Sequence, residues 1–486
     1  MSNHQHVDLA RIARETMLQE GFQPDIPANV HQEAQKADEK ATIAQAGARD
    51  LRQILWSSID NASSRDLDQI EFVEKEGENF RVLIGIADVD AFAPKGSALD
   101  QYAAENTTSV YTGVKTFPML PVELSTDKSS LADGEDRLAI VIEIKVAADG
   151  GVTTLDVFNA LVRNQAKLSY ESIGKWFDDN GMVPNEVSRV PNLESQLRLQ
   201  LDAAQHLSEA RKRHGALRLE TNQVTPLLDE TNRIVDLAVD ERNSARDLIE
   251  NFMVAANGAM AEFLDRLGVA SLRRVVKTPE NWPRIQEIAN ELNDNLPISP
   301  DALALSEFLE RRRAADPERF PDLSVAVVKL LGPGDYVVRI PGQESEGHFG
   351  LAVHRYTHST APNRRYADLI TQRLLKSATS RSASLYSVRE LEEIANHCND
   401  RESAARKVER KMRKVAAAVF MANRVGDEFK AIVTGATPKG TFARILKPPV
   451  DGMVVKHEQG LKVGQHIRVK LLSTDPEKGY IDFGAL

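Results

Sequence analysis

The stretch Ser58-Ile59-Asp60-Asn61-Ala62-Ser63-Ser64-Arg65-Asp66-Leu67-Asp68-Gln69 places three carboxylates within nine residues and an amide directly after them. It follows the apolar run Ile54–Trp56, so Asp60 falls where a strand gives way to a loop. Asp66 and Asp68 are two apart, and in extended backbone they point to the same side. Three converging carboxylates repel one another unless a cation shares them, and hard oxygen donors favour Mg²⁺ or Mn²⁺. Such ions suit phosphodiester hydrolysis, where they activate water and neutralise charge on the attacking and leaving oxygens. The same stretch also reads as a solvated turn whose Asp side chains cap their own backbone. A calcium loop of EF-hand type is poorly supported, because its Gly and terminal Glu positions do not match.

Outward from this stretch the texture is that of strands: Ile54–Ile59, Ile70–Val73, Arg81–Ala87 and Leu138–Val146, separated by Gly, Asp and Ser clusters. Glu-Gly-Glu-Asn between Phe72 and Phe80 predicts a hairpin, and so does Ala147-Ala148-Asp149-Gly150-Gly151 leading into Val152–Phe158. Helices are predicted over Leu193–Arg213, Ser244–Leu267, Glu280–Leu292, Ala367–Lys376 and Val388–Ala422. Strands and helices mix without regular βαβ alternation, so the expected class is α+β. Near the C-terminus, Glu428–Thr434, Gly440–Ile445, Gly452–Val455, His466–Leu472 and Gly479–Phe483 read as five short strands of a small all-β OB-type barrel. At the N-terminus, Leu9, Ile12, Ala13 and Met17 give Val7–Glu20 a helical period, which Gly21, Pro24 and Pro27 end. Val30–Ala48, rich in Ala, Gln and Glu, reads as a second helix. The expected division is a helical arm at 1–49, a main body at 50–424 and a barrel at 425–486.

Three domains also suit the 486 residues. No apolar run reaches the roughly 18 residues of a membrane span, and Met1–Glu15 lacks the apolar core of a signal peptide. One cysteine, Cys398, permits no internal disulfide, and no Cys/His cluster offers a zinc site. A reduced cytoplasm is the expected setting. The net charge of −10 argues against a protein that coats nucleic acid by bulk charge. Locally, however, Arg401–Lys414 carries seven Lys/Arg against two Glu, with Arg406, Arg410 and Arg413 on one helical face. That face reads as a phosphate track or as an ordinary solvated surface.

A second segment, His358-Ser359-Thr360-Ala361-Pro362-Asn363-Arg364-Arg365-Tyr366-Ala367-Asp368-Leu369, bears on the first. Pro362 directs the preceding chain away from helix, and a helix is predicted from about Asn363. Arg364 and Arg365 then lie at its N-terminus, where backbone N–H groups also attract phosphate. An arginine there can hold a scissile phosphate bidentately, although surface arginines on an ordinary helix fit the segment as well.

Together the two segments resemble the RNB family of ribonucleases, over most of the chain from about residue 50. The family's Asp-rich motif is matched by Ile59, Asp60, Asp66, Leu67, Asp68 and Gln69. Ile84-Gly85-Ile86-Ala87-Asp88-Val89, Phe117-Pro118-Met119-Leu120-Pro121 with Leu124-Ser125, the stretch Asp247–Asn257, and Ser359–Leu369 are similar to its later motifs, in the same order. The resemblance implies an RNB catalytic domain with mixed sheets and packed helices around an RNA channel, followed by an S1-like OB-fold domain. It implies a processive, hydrolytic 3′→5′ exoribonuclease that releases nucleoside 5′-monophosphates from single-stranded RNA at a buried Mg²⁺ site (Mn²⁺ as the alternative), acting as a monomer. By position it makes Asp60, Asp66, Asp68 and Gln69 metal residues, and Arg364 the arginine beside the scissile phosphate. Asp68 matches the residue on which the family's chemistry most depends. Tyr111 matches the clamp on the terminal base. Glu250, Arg365 and Glu409 are expected along the RNA, and Phe442 of the barrel as a stacking platform.

The chain departs from the family in three places. Gln69 is an amide where the fourth carboxylate is expected, Leu219 stands where ribonuclease II has Phe, and the N-terminal cold-shock domains have no room before Asp60. A rival expectation is an RNA-binding protein whose nuclease site is weakened or lost, with Gln69 as its mark. A more distant rival is a metal-dependent phosphatase or endonuclease.

Overall fold

A computed structural model describes residues 7–179, 181–220, 224–231, 233–239, 242–343, 346–380, 382, 384–438 and 440–486. The N-terminal helices are α1 (Leu9–Gln19), α2 (Ala28–Lys36) and α3 (Glu39–Gln45). Two helices replace the one predicted over Val30–Ala48, because Asp38 caps α3 by accepting from the Ala41 backbone N–H and so restarts the helix. α1 buries Leu9, Ile12, Ala13 and Met17 in a cluster with Val408, Met412 and Val415. The expected arm is thus packed onto the body.

The body is built on β1 (Arg49–Asp50), β2 (Trp56–Asp60), β3 (Gln69–Glu76), β4 (Asn79–Ala87), α4 (Ala98–Asn106), the short pair β5 (Val110–Tyr111) and β6 (Thr116–Phe117), β7 (Asp136–Val146) and β8 (Val152–Ser169). Six of these strands form one sheet in the order β1-β8-β2-β3-β4-β7. Both predicted hairpins are present: Glu76 pairs with Asn79 across β3–β4, and Val146 with Val152 across β7–β8. β8 runs well past the predicted Phe158. Its first part pairs antiparallel with β7, and its end pairs parallel with β2, Ser169 facing Asp60. The sheet therefore curls back on itself. Side chains alternate between its faces. Ile70, Leu83, Ala139 and Val141 enter one core, and Val73, Val82, Ile84 and Ile142 the other.

Next come α5 (Tyr170–Asp178), α6 (Asn185–Ser188), α7 (Leu193–Arg213), β9 (Val224–Leu228), β10 (Ile234–Val239) and α8 (Ser244–Arg266). Leu193 and Leu197 of α7 and Leu248 and Phe252 of α8 cover the second face. β11 (Ser271–Val275), α9 (Trp282–Glu291), α10 (Ala302–Ala315), α11 (Phe320–Leu331) and β12 (Asp335–Arg339) follow, then α12 (Tyr366–Thr379) and α13 (Val388–Met421). The helix predicted from Asn363 starts three residues later. Pro362–Arg364 form a turn, and Arg365 stays extended (φ −136°, ψ 122°) as a bridge partner of Thr108. Beyond α13, β13 (Glu428–Thr437), β14 (Gly440–Leu446), β15 (Pro449–Lys456), β16 (His466–Asp475) and β17 (Tyr480–Ala485) close into the expected five-stranded barrel. No described helix is long and apolar enough to cross a membrane.

Candidate active site

The acidic stretch is the connection from β2 to β3, and its second half is anchored and buried. Leu67 is buried, its N–H donates to Ser130 Oγ at 3.0 Å and its carbonyl accepts from Leu131 N at 2.9 Å. The Asp68 carbonyl accepts from Ala87 N at 2.9 Å. These bonds tie the Leu67–Asp68 half of the loop to the rest of the fold, while Asn61, Ala62, Ser63 and Arg65 stay exposed and the first half keeps the character of a turn capped by Asp60.

Each acidic side chain has a separate setting. Asp60, at the end of β2, accepts through Oδ1 from Asn61 N at 2.6 Å and Ser64 Oγ at 2.8 Å. Asp66 Oδ2 accepts from the Tyr111 hydroxyl at 3.4 Å. Asp68 is 4% exposed, accepts from Asn363 N at 3.1 Å and faces Arg364 Nε at 3.5 Å. Buried Gln69 donates from Nε2 to the Ile59 carbonyl at 3.2 Å. Among the described residues no group of three or more His, Cys, Asp or Glu stands close enough to hold a metal ion. The expected convergence of Asp60, Asp66 and Asp68 is therefore not seen in these side-chain positions. Asp68 turns to Arg364, Asp66 to Tyr111, and Asp60 to its own loop.

Burial works against every negative charge here. It pushes the Asp68 carboxyl up to about 7, with Arg364 pulling the other way. It raises Asp66 as well, with Asp60 adding to the effect, and it raises Glu71 on β3 well above the usual range, again with Asp60 adding. Carboxylates left in such a deficit of positive charge have the chemistry of a hard-cation donor set, and Gln69 adds a neutral amide.

Arg364 and Tyr111 share a cavity of about 230 Å³ with Glu409 and Arg406 of α13. The Arg364 side chain is 45% exposed. Because Nε faces Asp68, its two terminal nitrogens remain for a phosphate. Tyr111 is 41% exposed, and Glu409 Oε1 accepts from its backbone N–H at 3.3 Å. Burial raises the Tyr111 hydroxyl above its ordinary range, and it raises the Glu409 carboxyl too. Arg365 lines the same cavity, but its guanidinium is held by Asp368 at 2.9 and 2.8 Å. That pair fixes the start of α12 and holds the Arg365 guanidinium at the cavity wall. Glu250 lies on α8 outside this cavity, its carboxylate held by Arg211 at 3.3 Å and Arg242 at 2.8 Å. Phe442, 37% exposed, stands on the barrel strand β14.

Sequence reasoning missed several residues of this region. Tyr336 and His358 meet at 2.7 Å beside the cavity, and nothing in the sequence marks either one. Glu402 takes a bidentate pair from Arg274 at 2.6 and 2.8 Å. Glu71 had a legible signal: a carboxylate set between Ile70, Phe72 and Val73 in a strand.

An RNB domain model matches residues 48–381, and a model of the RNase II-type exonuclease C-terminal S1 domain matches residues 427–486. The chain belongs to the RNB family. It is 30% identical over 475 residues to ribonuclease R of Thermotoga maritima, covering 90% of this chain and 64% of that protein. The chain thus spans less than two thirds of the length of this curated relative. The apo structure of Mycoplasma genitalium RNase R superposes with a TM-score of 0.88 at 23% identity, covering 99% of this chain and 78% of the other. Yeast Ssd1, described as a pseudonuclease, shares the fold at a TM-score of 0.70 and 15% identity, covering 92% of this chain and 55% of its own. The fold alone therefore does not decide activity, and the site must. RNB nucleases depend on a divalent metal ion.

Proposed function

We propose that the chain is a hydrolytic, Mg²⁺-dependent 3′→5′ exoribonuclease that degrades single-stranded RNA to nucleoside 5′-monophosphates, with Mn²⁺ able to substitute. The observation that carries this reading is one cavity lined by an exposed tyrosine ring and a half-exposed arginine, each backed by a carboxylate of the β2–β3 loop. Tyr111 rests on Asp66, and Arg364 rests on Asp68. A terminal nucleotide offers a base for the ring and a phosphate for the arginine within one short span.

In this reading Asp60, Asp66, Asp68 and the Gln69 amide oxygen hold the metal. When bound, the ion supplies charge neutralisation at the phosphate and acidifies water. Arg364 orients the phosphate through its terminal nitrogens, and Asp68 orients Arg364. Tyr111 stacks on the terminal base, and Glu409 fixes the backbone that carries it. Glu250 and Phe442 are placed further along the RNA, the latter in a barrel that works as an RNA-binding domain. The division into 1–49, 50–424 and 425–486, a monomeric state and a reducing cytoplasmic setting belong to the same proposal. Buried, unpaired Cys398 is compatible with that setting.

The second reading, an RNA-binding protein with a lost nuclease site, is favoured by Gln69 and by the likeness to a pseudonuclease. Single-stranded RNA labelled at its 3′ end separates the two. The exonuclease reading expects the label to leave as a mononucleotide in the first turnovers with Mg²⁺, and not with the Asp68→Asn variant. Label retained in bound, intact RNA supports the binding protein.

A further inference from the structure

We propose that the N-terminal helix α1 positions the clamp on the terminal base, with Met17 as the positioning residue: it seats the β5–β6 ribbon against α13 and so fixes Tyr111 opposite Arg364. The proposal rests on the nuclease reading above, in which the Tyr111 ring meets the last base of the RNA. Among the described residues β5 and β6 form a two-stranded sheet of their own, with Val110 opposite Phe117 and Tyr111 opposite Thr116. Residues directly opposite share a face, so one face carries Val110 and Phe117 and the other carries Tyr111. A two-stranded ribbon is at best marginally stable until its apolar face is covered. Here Val110 and Phe117 are buried in one cluster with Ile12 and Met17 of α1 and Val408 and Met412 of α13. The two helices together cover the face opposite the ring.

The chain leading into β5 is fastened first to the segment after α1 and then to the start of α12. Asn106, the last residue of α4, accepts from the Gln23 backbone N–H at 3.0 Å and donates to the Gln23 carbonyl at 3.1 Å. The same carbonyl accepts from the Tyr102 hydroxyl at 2.9 Å. The Thr107 carbonyl then accepts from Tyr366 N at 2.8 Å, and Ser109 N donates to the Arg364 carbonyl at 3.0 Å. Tyr111 lies two residues further on, and its own polar contacts are long: 3.3 Å from its backbone N–H to Glu409 and 3.4 Å from its hydroxyl to Asp66. What holds the ring in place is the packing beneath Val110 and Phe117.

Met17 is the most deeply buried of the large apolar side chains that α1 places in this cluster. It stands in the last turn of α1, where Phe22 N donates to the Met17 carbonyl at 3.0 Å and Arg401 Nη1 of α13 donates to the Gly21 carbonyl at 2.6 Å. This end of α1 is thus tied to α13 as well as packed on it. Truncating Met17 leaves a gap between two tied helices, and the ribbon is the wall most able to move into it. Such a shift displaces Tyr111 and leaves Arg364 where the turn before α12 holds it.

The test is a double-mutant cycle on the full chain in EDTA, which reads the affinity for a short 5′-labelled single-stranded RNA by fluorescence anisotropy, with melting curves to confirm folding at the assay temperature. Met17→Ala should weaken binding about fivefold, and no more than Tyr111→Ala does, while the volume-conserving Met17→Leu should stay within about twofold of wild type. On the Tyr111→Ala background, Met17→Ala should change affinity by less than about twofold, because both act through one ring. Ile144→Ala, which truncates a fully buried residue of another core, should lower the melting temperature and leave RNA affinity unchanged. A folded Met17→Ala chain that binds RNA within about twofold of wild type overturns the proposal, as does a loss that persists in full on the Tyr111→Ala background. If Met17→Ala does not fold, Met17→Val replaces it, with a loss of about threefold expected on wild type and none on Tyr111→Ala. Equal losses on the two backgrounds, or none on either, then overturn the proposal. Weaker binding by Tyr111→Ala without weaker binding by the Met17 variant defeats this proposal alone. A Tyr111→Ala chain that binds RNA as wild type does defeats the clamp reading, and this proposal with it.

Discussion

Replacing Asp68 by Asn should stabilise the metal-free protein while removing its activity, and the size of the gain depends on pH. Asp68 is 4% exposed, and its carboxyl is held up at about 7, against about 3.8 in the unfolded chain. A folded value above the unfolded one means that the folded state keeps its proton longer. Stability is thus unpenalised below pH 4, and it falls as pH rises toward 7 by about 1.4 kcal/mol per unit. Three units amount to about 4 kcal/mol above pH 7, an order-of-magnitude figure. The attraction of Arg364, whose side chain is 45% exposed, is already part of this balance, since it lowers the Asp68 carboxyl against the larger effect of burial. The Asn363 N–H still finds an acceptor in the amide oxygen that the substitution leaves in place of the carboxylate. A net gain of about 4 kcal/mol is therefore expected at pH 8, shrinking to about 2 kcal/mol at pH 5. Urea unfolding of both proteins in EDTA at the two pH values measures the gap directly. An equal gap at pH 5 and pH 8, or a variant less stable than wild type at pH 8, would refute the reasoning. Added Mg²⁺ should reverse the order, because the ion stabilises only the chain that binds it.

Other substitutions probe separate parts of the site. Gln69→Asp should tighten divalent-metal binding and lower the Mg²⁺ concentration needed for activity; an unchanged metal titration would show that position 69 is not a ligand. Tyr111→Ala removes an exposed ring, so the melting temperature should hold while RNA affinity falls by roughly 1–3 kcal/mol, read by fluorescence anisotropy. Arg364→Lys keeps the charge but loses the planar fork, and turnover should drop roughly tenfold or more while the fold is unaffected. His348 is pushed down to about 4, first by burial and then by Arg274. Its folded value lies below the unfolded 6.5, so stability is lost as pH falls from 6.5 toward 4. His348→Asn, which can still accept from Leu351 N, should melt closer to or above wild type at pH 5 than at pH 7.5; a constant difference contradicts this.

Much of the fold was legible because burial on two faces leaves a period in the sequence. The β3–β4 hairpin followed from the residues between Phe72 and Phe80, and α7 from an apolar stripe that ends in Arg211, Lys212 and Arg213. The five barrel strands were found, though β15 and β16 extend further than their apolar residues indicate. α10 and α11 went unseen: Pro321 at the start of α11 looks like a break, although at a helix's first turn it is harmless. At the site, the sequence identified Asp60, Asp66, Asp68, Arg364 and Tyr111 as a group, but not their pairings. The resemblance singled out Arg364 over Arg365 but not their settings: Arg365 is held by its bridge to Thr108 and its pairing with Asp368, while the Arg364 side chain stays half-exposed at the cavity. Glu71 was visible as a charge in a strand, yet its isolation depends on what packs around it.

The central claim is metal-dependent removal of nucleotides from the 3′ end, and one measurement meets it directly. RNA labelled at its 5′ end, single-stranded and incubated with the purified full chain, should shorten stepwise in Mg²⁺ while free 5′-monophosphates accumulate, and should stay intact in EDTA. Internal cuts, shortening that survives EDTA, or RNA that stays bound and whole in Mg²⁺ would contradict it.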